Sequence, residues 1–228
     1  MFPNSQPRST IDLTKAGRGQ VARNNVLRNT YWLLALSMIP TVLGAFVGVS
    51  LQLGGLGLIL FMVVAFGFMF AIQKFKDSAI GVALLLGFTF FMGLMLAPLL
   101  THTLGYSNGG TLIMTAFGGT ACVFAVMASI ATTTKRDFSG MGSWLFAGVI
   151  VILLAAVANI FLQMSVLSIV ISMLAIGIFS AFILYDVQRI VNGGETNYIS
   201  ATLSIYLDVY NIFTSLLHLL GIAGGDRD

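Results

Sequence analysis

Of the 228 residues, 57% are hydrophobic and only 8% are charged, where a soluble globular domain carries about 25% charged residues. So little charge excludes water as the solvent for most of the surface, and with it a free-standing soluble enzyme. A net charge of +3 with no exposed aromatic-basic pattern also argues against a nucleic-acid partner.

The chain opens on a polar stretch, residues 1–28, that contains Pro3, Pro7, Gly17 and Gly19. It lacks the apolar core and small-residue cleavage site of a signal peptide, so it reads as a retained, flexible cytosolic tail. Such a tail is either a solvated leader that touches anionic lipid or a handle for a docking partner. Apolar stretches then run over 31–51, 54–73, 79–101, 111–133, 143–163, 165–185 and 200–222. Each is close to the ~20 residues that a helix needs to cross a hydrocarbon core about 30 Å thick. The breaks, among them "LGG", "QKFKDS", "HTLGYSNGG", "TKRDFSGMG" and "VNGGETN", are too short for a second domain. The expectation is an all-α integral membrane protein with seven transmembrane helices over 29–223 and a short extracytoplasmic tail, 224–228.

Charge orients this bundle. Arg8, Lys15, Arg18, Arg23 and Arg28 precede the first span, Lys74 and Lys76 follow the second, Lys135 and Arg136 the fourth, and Arg189 the sixth. All Lys and Arg except Arg227 therefore share one side, and the positive-inside rule puts the N-terminus in the cytoplasm and the C-terminus outside. Within the fourth span Cys122, the single cysteine, cannot form an intramolecular disulfide. With Gly118, Gly119, Ala125 and Ala128 it makes a row of small residues of the kind that lets membrane helices approach closely. The methionines are scattered without His or Cys at coordinating spacing, which speaks against a soft-metal site.

The last two spans hold the unusual residues. Asp186 lies near the cytoplasmic end of the sixth, and Asp208 about 12 Å into the seventh at 1.5 Å per residue. A carboxylate at mid-bilayer costs at least ~2.5 kcal/mol, so each needs a partner or a purpose. Ser204, Asp208, Asn211, Ser215 and His218 recur at helical spacing and form one polar stripe that must face the bundle interior or a water-filled path. A hydrogen-bonding seam between helices would use the same residues. Asp186 has an ordinary explanation in an i,i+3 ion pair with Arg189. As a pair, two carboxylates brought close in low dielectric would share a proton and sense pH, and once ionised they would offer hard oxygens to a divalent cation such as Ca²⁺. Chemistry on a substrate is disfavoured. The G-x-G-D half of an intramembrane aspartyl protease signature is missing, since "IYLD" surrounds Asp208, no G-x-S-x-G occurs, and the sequence offers no evident nucleophile partner for His102 or His218.

The segments "YDVQRI", "GGETNYISAT" and "YLDVYNIFTSLLHLLG" resemble the closing motifs of the Bax inhibitor family. "VLRNTYWLLAL", "GGTACVFA", "TTKRDFSGMGSWLFAG" and "VANIFLQ" are similar to its bacterial YccA-like branch. This collinear resemblance, over about residues 26–222, implies six helices around a central seventh in a bacterial inner membrane. It implies a pH-sensitive Ca²⁺ leak gated by the paired Asp186 and Asp208, with Arg189, Lys74 or Lys76 as candidates for a basic gate partner. For the YccA-like branch it implies instead a modulator and poor substrate of the membrane AAA protease FtsH and its HflK/HflC scaffold.

Overall fold

The computed structural model describes the backbone of residues 9–52, 54 and 57–224, and the side chains of these except 9–18 and 58. The described residues form helices α1 (Ser9–Ser50), α2 (Leu58–Lys74), α3 (Ala79–Met95), α4 (Ala97–Leu104), α5 (Gly109–Thr133), α6 (Gly142–Leu162), α7 (Ser165–Val191) and α8 (Tyr198–Gly224), with a 3₁₀ turn at Ser139–Met141 before α6. Six segments are long and apolar enough to cross a membrane: Gly19–Ser50, Ala79–Leu104, Gly109–Thr133, Ser139–Leu162, Ser165–Val191 and Tyr198–Gly224. The shorter apolar α2 completes the set expected from sequence.

Three boundaries differ from the sequence reading, each for a local reason. The helix that carries the first span begins at Ser9, so much of the segment expected as an irregular tail is helical. No proline interrupts 9–39, and isolated glycines such as Gly17 and Gly19 weaken a helix by only about 1 kcal/mol each. Residues 1–8 and 225–228 lie outside the described residues. The helix of the second span starts at Leu58, and Gly54 and Gly57 before it are non-helical, as suits glycine's weak helix preference. Its 17 residues reach about 25 Å, near the lower limit for a span. The third is split at Leu96 into α3 and α4. Pro98 has no N–H to give Leu94, and its ring excludes a preceding turn of regular helix.

α8 packs against α7, α5, α1, α3, α4 and α2; α6 does not reach it and packs on α7 and the 3₁₀ turn. Accordingly α6 buries only Leu145 among its described residues, and Trp144, Phe146 and Phe161 are exposed, as suits a face against lipid. α8 is the least apolar of the six long spans and yet one of the most enclosed. Ile199, Ile205, Tyr206, Ile212 and Leu217 are fully buried there.

The tightest crossing is between α1 and α3. A Cβ on Gly48 would come within 3.0 Å of the Leu94 carbonyl, and one on Gly93 within 2.9 Å of Ala45 N, while Gly44 lies directly against the Phe90 carbonyl. These glycines let two backbones touch, the arrangement by which membrane helices gain dispersion energy. The small residues of α5 are divided. Gly118, Cys122 and Ala125 are exposed, Gly118 has open space where a Cβ would go, and only Ala128 of that row is buried. Of the row, Gly119, with Leu216 of α8 3.3 Å from where its Cβ would stand, and the buried Ala128 have the helix-contact role expected of them, while Gly118, Cys122 and Ala125 face away from the side of α5 that carries Leu112, Ala116 and Thr120.

Candidate functional site

α8 is anchored at two depths. At its start Asn197 accepts the N–H of Ile199 (2.9 Å) and of Ser200 (3.1 Å) through Oδ1, which satisfies helix amides that would otherwise have no partner. Deeper, the Tyr206 hydroxyl shares a 2.9 Å hydrogen bond with Thr41 Oγ1 of α1 and lies 3.4 Å from the Thr89 carbonyl of α3. Tyr210 donates to the Met92 carbonyl at 3.3 Å. The α1–α3 crossing thus forms a wall on which α8 is registered, and Asp208 lies between the two tyrosines in sequence.

Asp208 is 5% exposed, and its Oδ2 is buried without a hydrogen-bond partner. Leaving a buried charged acceptor unmade costs several kcal/mol in an apolar medium, so this atom is a source of instability unless it is protonated or met by a mobile partner. The other stripe residues, Ser204, Asn211, Ser215 and His218, are half-buried. Asn211 donates back to the Leu207 carbonyl of its own helix at 2.8 Å, and His218 Nδ1 shares a 3.0 Å hydrogen bond with Ser172 Oγ of α7. His218 therefore ties the stripe to α7, and Asp208 is the member with a buried atom left without a partner.

Asp186 stands on α7, the helix that packs most extensively along α8. The two carboxyl groups lie on helices packed against each other, with no hydrogen bond between them among the described residues. Arg189 does not close on Asp186 as the i,i+3 spacing suggested. It forms an ion pair with Glu195 at 3.4 Å, because Gly193 takes φ +78° and folds the chain back so that Gly194 and Glu195 donate to the Arg189 carbonyl. Nor do the other basic candidates reach the pair. Lys74 is exposed, with Nζ 5.8 Å from the centre of the Phe75 ring, and Lys76 lines a surface cavity beside Asp77. No group of three or more His, Cys, Asp or Glu able to hold a metal occurs among the described residues. A Ca²⁺ ion at Asp186 and Asp208 would have to complete its six to eight oxygens from carbonyls and water.

One residue beside this pair was not singled out from the sequence. Gln188, 4% exposed, accepts the Phe138 N–H and donates to the Arg136 carbonyl. It clamps the α5–α6 loop to α7 two residues beyond Asp186. A glutamine between Asp186 and Arg189 at the end of an apolar span was the available signal. In the clamped loop Asp137 Oδ1 accepts the Ser139 N–H at 2.9 Å, and this bond holds its carboxyl below the usual aspartate value.

The model of the family described as "Inhibitor of apoptosis-promoting Bax1" matches residues 23–225. The chain belongs to the Bax inhibitor family. Among relatives of this Bax inhibitor protein is the "Modulator of FtsH protease YccA" of Escherichia coli (strain K12), 42% identical over 206 residues, which cover 90% of this chain and 94% of the relative. A second Escherichia coli relative of equal identity is named "Inner membrane protein YccA". An uncharacterized protein of Pseudomonas aeruginosa is 40% identical over 203 residues, 89% of this chain and 91% of its own length. The matched segment contains α2 to α8 and most of α1, so Asp186, Asp208 and the residues that hold α8 all fall within it.

Proposed function

We propose that this Bax inhibitor protein is a pH-responsive cation leak of the bacterial inner membrane, with α8 as its central helix and Asp186 and Asp208 as its gate. The observation that carries the reading is the buried, unpartnered Oδ2 of Asp208, on a helix packed along the one that carries Asp186. Protonated, the pair is compatible with a closed α7–α8 contact. Ionised, it places unpaired charge inside the bundle at a cost of at least ~2.5 kcal/mol, which shifts a two-state contact by roughly 70-fold. A cation that enters between the carboxylates relieves that cost. The basic residues set the N-terminus on the cytoplasmic side, and no residue acts as a catalyst.

Reconstituted protein loaded into liposomes with a Ca²⁺ indicator tests this. Influx should rise as the pH rises, and Asp208→Asn and Asp186→Asn should each flatten the response, with Arg189→Gln changing it less because Arg189 is paired to Glu195. A pH response of wild-type size in both Asn variants refutes the gate.

A second reading rests on a different observation, the printed name of the 42% identical relative as a modulator of FtsH protease. In this reading the protein engages the membrane AAA protease, with HflK/HflC, through its N-terminal segment, and its packed bundle resists extraction. Deletion of residues 1–24 should lengthen its lifetime in cells that contain the active protease. Unchanged turnover counts against this role.

A further inference from the structure

Where α2 gives way to α3, an open cavity of about 720 Å³ lies between the α2–α3 loop and the start of α8, within the range of small-molecule sites. Its mouth carries opposite charges on consecutive residues, Lys76 and Asp77. They do not neutralise one another: the ion pair found among the described residues is Arg189–Glu195. Asp77 is held in place, since its Oδ1 accepts from Asn197 Nδ2 at 2.8 Å, and Asn197 Nδ2 also donates to the Lys76 carbonyl at 3.0 Å. The same asparagine caps α8, so the charge pair is tied to the bundle frame and does not belong to a free loop. Ser78 turns its hydroxyl to the Phe75 carbonyl at 2.9 Å and leaves the start of α3 without a side-chain cap. Beneath this polar rim the wall becomes apolar, with Val82, Leu86 and Tyr198. Leu86 lies about 10 Å below Ala79 along the helix axis.

We propose that this cavity binds the headgroup of a zwitterionic aminophospholipid, a phosphatidylethanolamine. The geometry of charges selects it. The phosphate lies toward Lys76 and the open amides of α3, and the primary ammonium donates to Asp77. One acyl chain follows Val82 and Leu86 down the α3 surface. The site sits where Ala79–Leu104 and Tyr198–Gly224 both begin their passage across the membrane, the depth at which a lipid headgroup resides. A quaternary choline has no N–H to give Asp77, and a glycerol headgroup has no cation, so both lose the contact that completes the pair. The proposal is independent of the gate reading, because none of its residues touches Asp186 or Asp208.

Full-length protein, delipidated in detergent, is titrated with phosphatidylethanolamine, phosphatidylcholine and phosphatidylglycerol of identical acyl chains, and binding is read by native mass spectrometry. Phosphatidylethanolamine should bind roughly fivefold tighter than the other two, the upper range for a partly exposed charge contact. Asp77→Asn keeps an oxygen for Asn197 and should erase that preference, whereas Lys76→Gln should weaken all three lipids. Ala83→Trp, from an exposed position on the apolar wall, should fill the cavity and displace lipid even if a charge variant fails to fold. Soluble O-phosphoethanolamine should compete poorly. Equal binding of the three lipids, a preference that survives Asp77→Asn, full binding to Ala83→Trp, or equal competition by O-phosphoethanolamine overturns the proposal.

Discussion

Gly93→Ala should destabilise the bundle although it adds only a methyl group. The new Cβ would stand 2.9 Å from Ala45 N and press on the Thr41 carbonyl, against 3.4 Å for ordinary contact. Both neighbours are α1 backbone, which cannot rotate away as a side chain would, so α1 and α3 must separate by at least about half an ångström. A gap of ~0.5–1 Å forfeits a quarter to a half of each affected dispersion contact, and overpacking of this kind costs about 1–3 kcal/mol. Helix propensity works in the other direction, since Ala is better than Gly by about 1 kcal/mol. Gly118→Ala supplies the control, because a Cβ there meets open space and the propensity gain nearly cancels in the comparison. In equilibrium unfolding from mixed detergent micelles, Gly93→Ala should be less stable than Gly118→Ala by about 1–3 kcal/mol. The separation also loosens the Tyr206–Thr41 contact at 2.9 Å, so the pH response of the Ca²⁺ leak should shift in Gly93→Ala and not in Gly118→Ala. Equal stability of the two variants would refute the close-crossing account.

Tyr206→Phe removes a hydroxyl that is bonded to Thr41 and should cost about 0.5–1.5 kcal/mol in the same unfolding assay. Gln188→Ala should free the α5–α6 loop, and trypsin should then cut after the exposed Lys135 and Arg136 several times faster than in the wild type, as judged by timed electrophoresis. Asn197→Ala removes the cap of α8, a loss of about 1 kcal/mol for that function alone, visible as faster hydrogen exchange at Ile199 and Ser200. A carboxyl-detected NMR titration of Asp137 should fall below the ordinary aspartate value, as its bond from Ser139 N–H requires. Its contribution to loop order is therefore present above the unfolded-state value and lost as the pH falls through the lowered folded one.

Six long spans and a shorter apolar helix, with their approximate limits, were legible because lipid demands a run of apolar residues of nearly fixed length, and the polar stripe of α8 was legible because a 3.6-residue period survives any packing. The interruption at Leu96 was also encoded, in Pro98, although hydropathy alone runs through it. Which small residues meet another helix was not legible. Gly93 and Gly118 are both glycines within apolar helices, and only the relative rotation of α1, α3 and α5 separates the buried one from the exposed one. The pairing of Arg189 failed for a similar reason. Spacing on the helix favoured Asp186, but the left-handed turn at Gly193 brings Glu195 back to it, and that competition is decided by backbone geometry beyond the helix. Lys74 and Lys76 resembled gate partners in sequence position, yet α2 ends at Lys74 and leaves both at the rim.

The helix on which most of the others are registered is the last of them to be synthesised. Until α8 emerges, Ser172 lacks His218, Thr41 lacks the Tyr206 hydroxyl, and the α1–α3 wall has nothing seated on it. Lipid offers none of these groups a hydrogen bond. A nascent chain halted before Tyr198 therefore leaves Ser172 and Thr41 without the side-chain partners that α8 supplies. The α1–α3 crossing needs no group of α8 and can close earlier, so the last helix is left to seat on a wall already built.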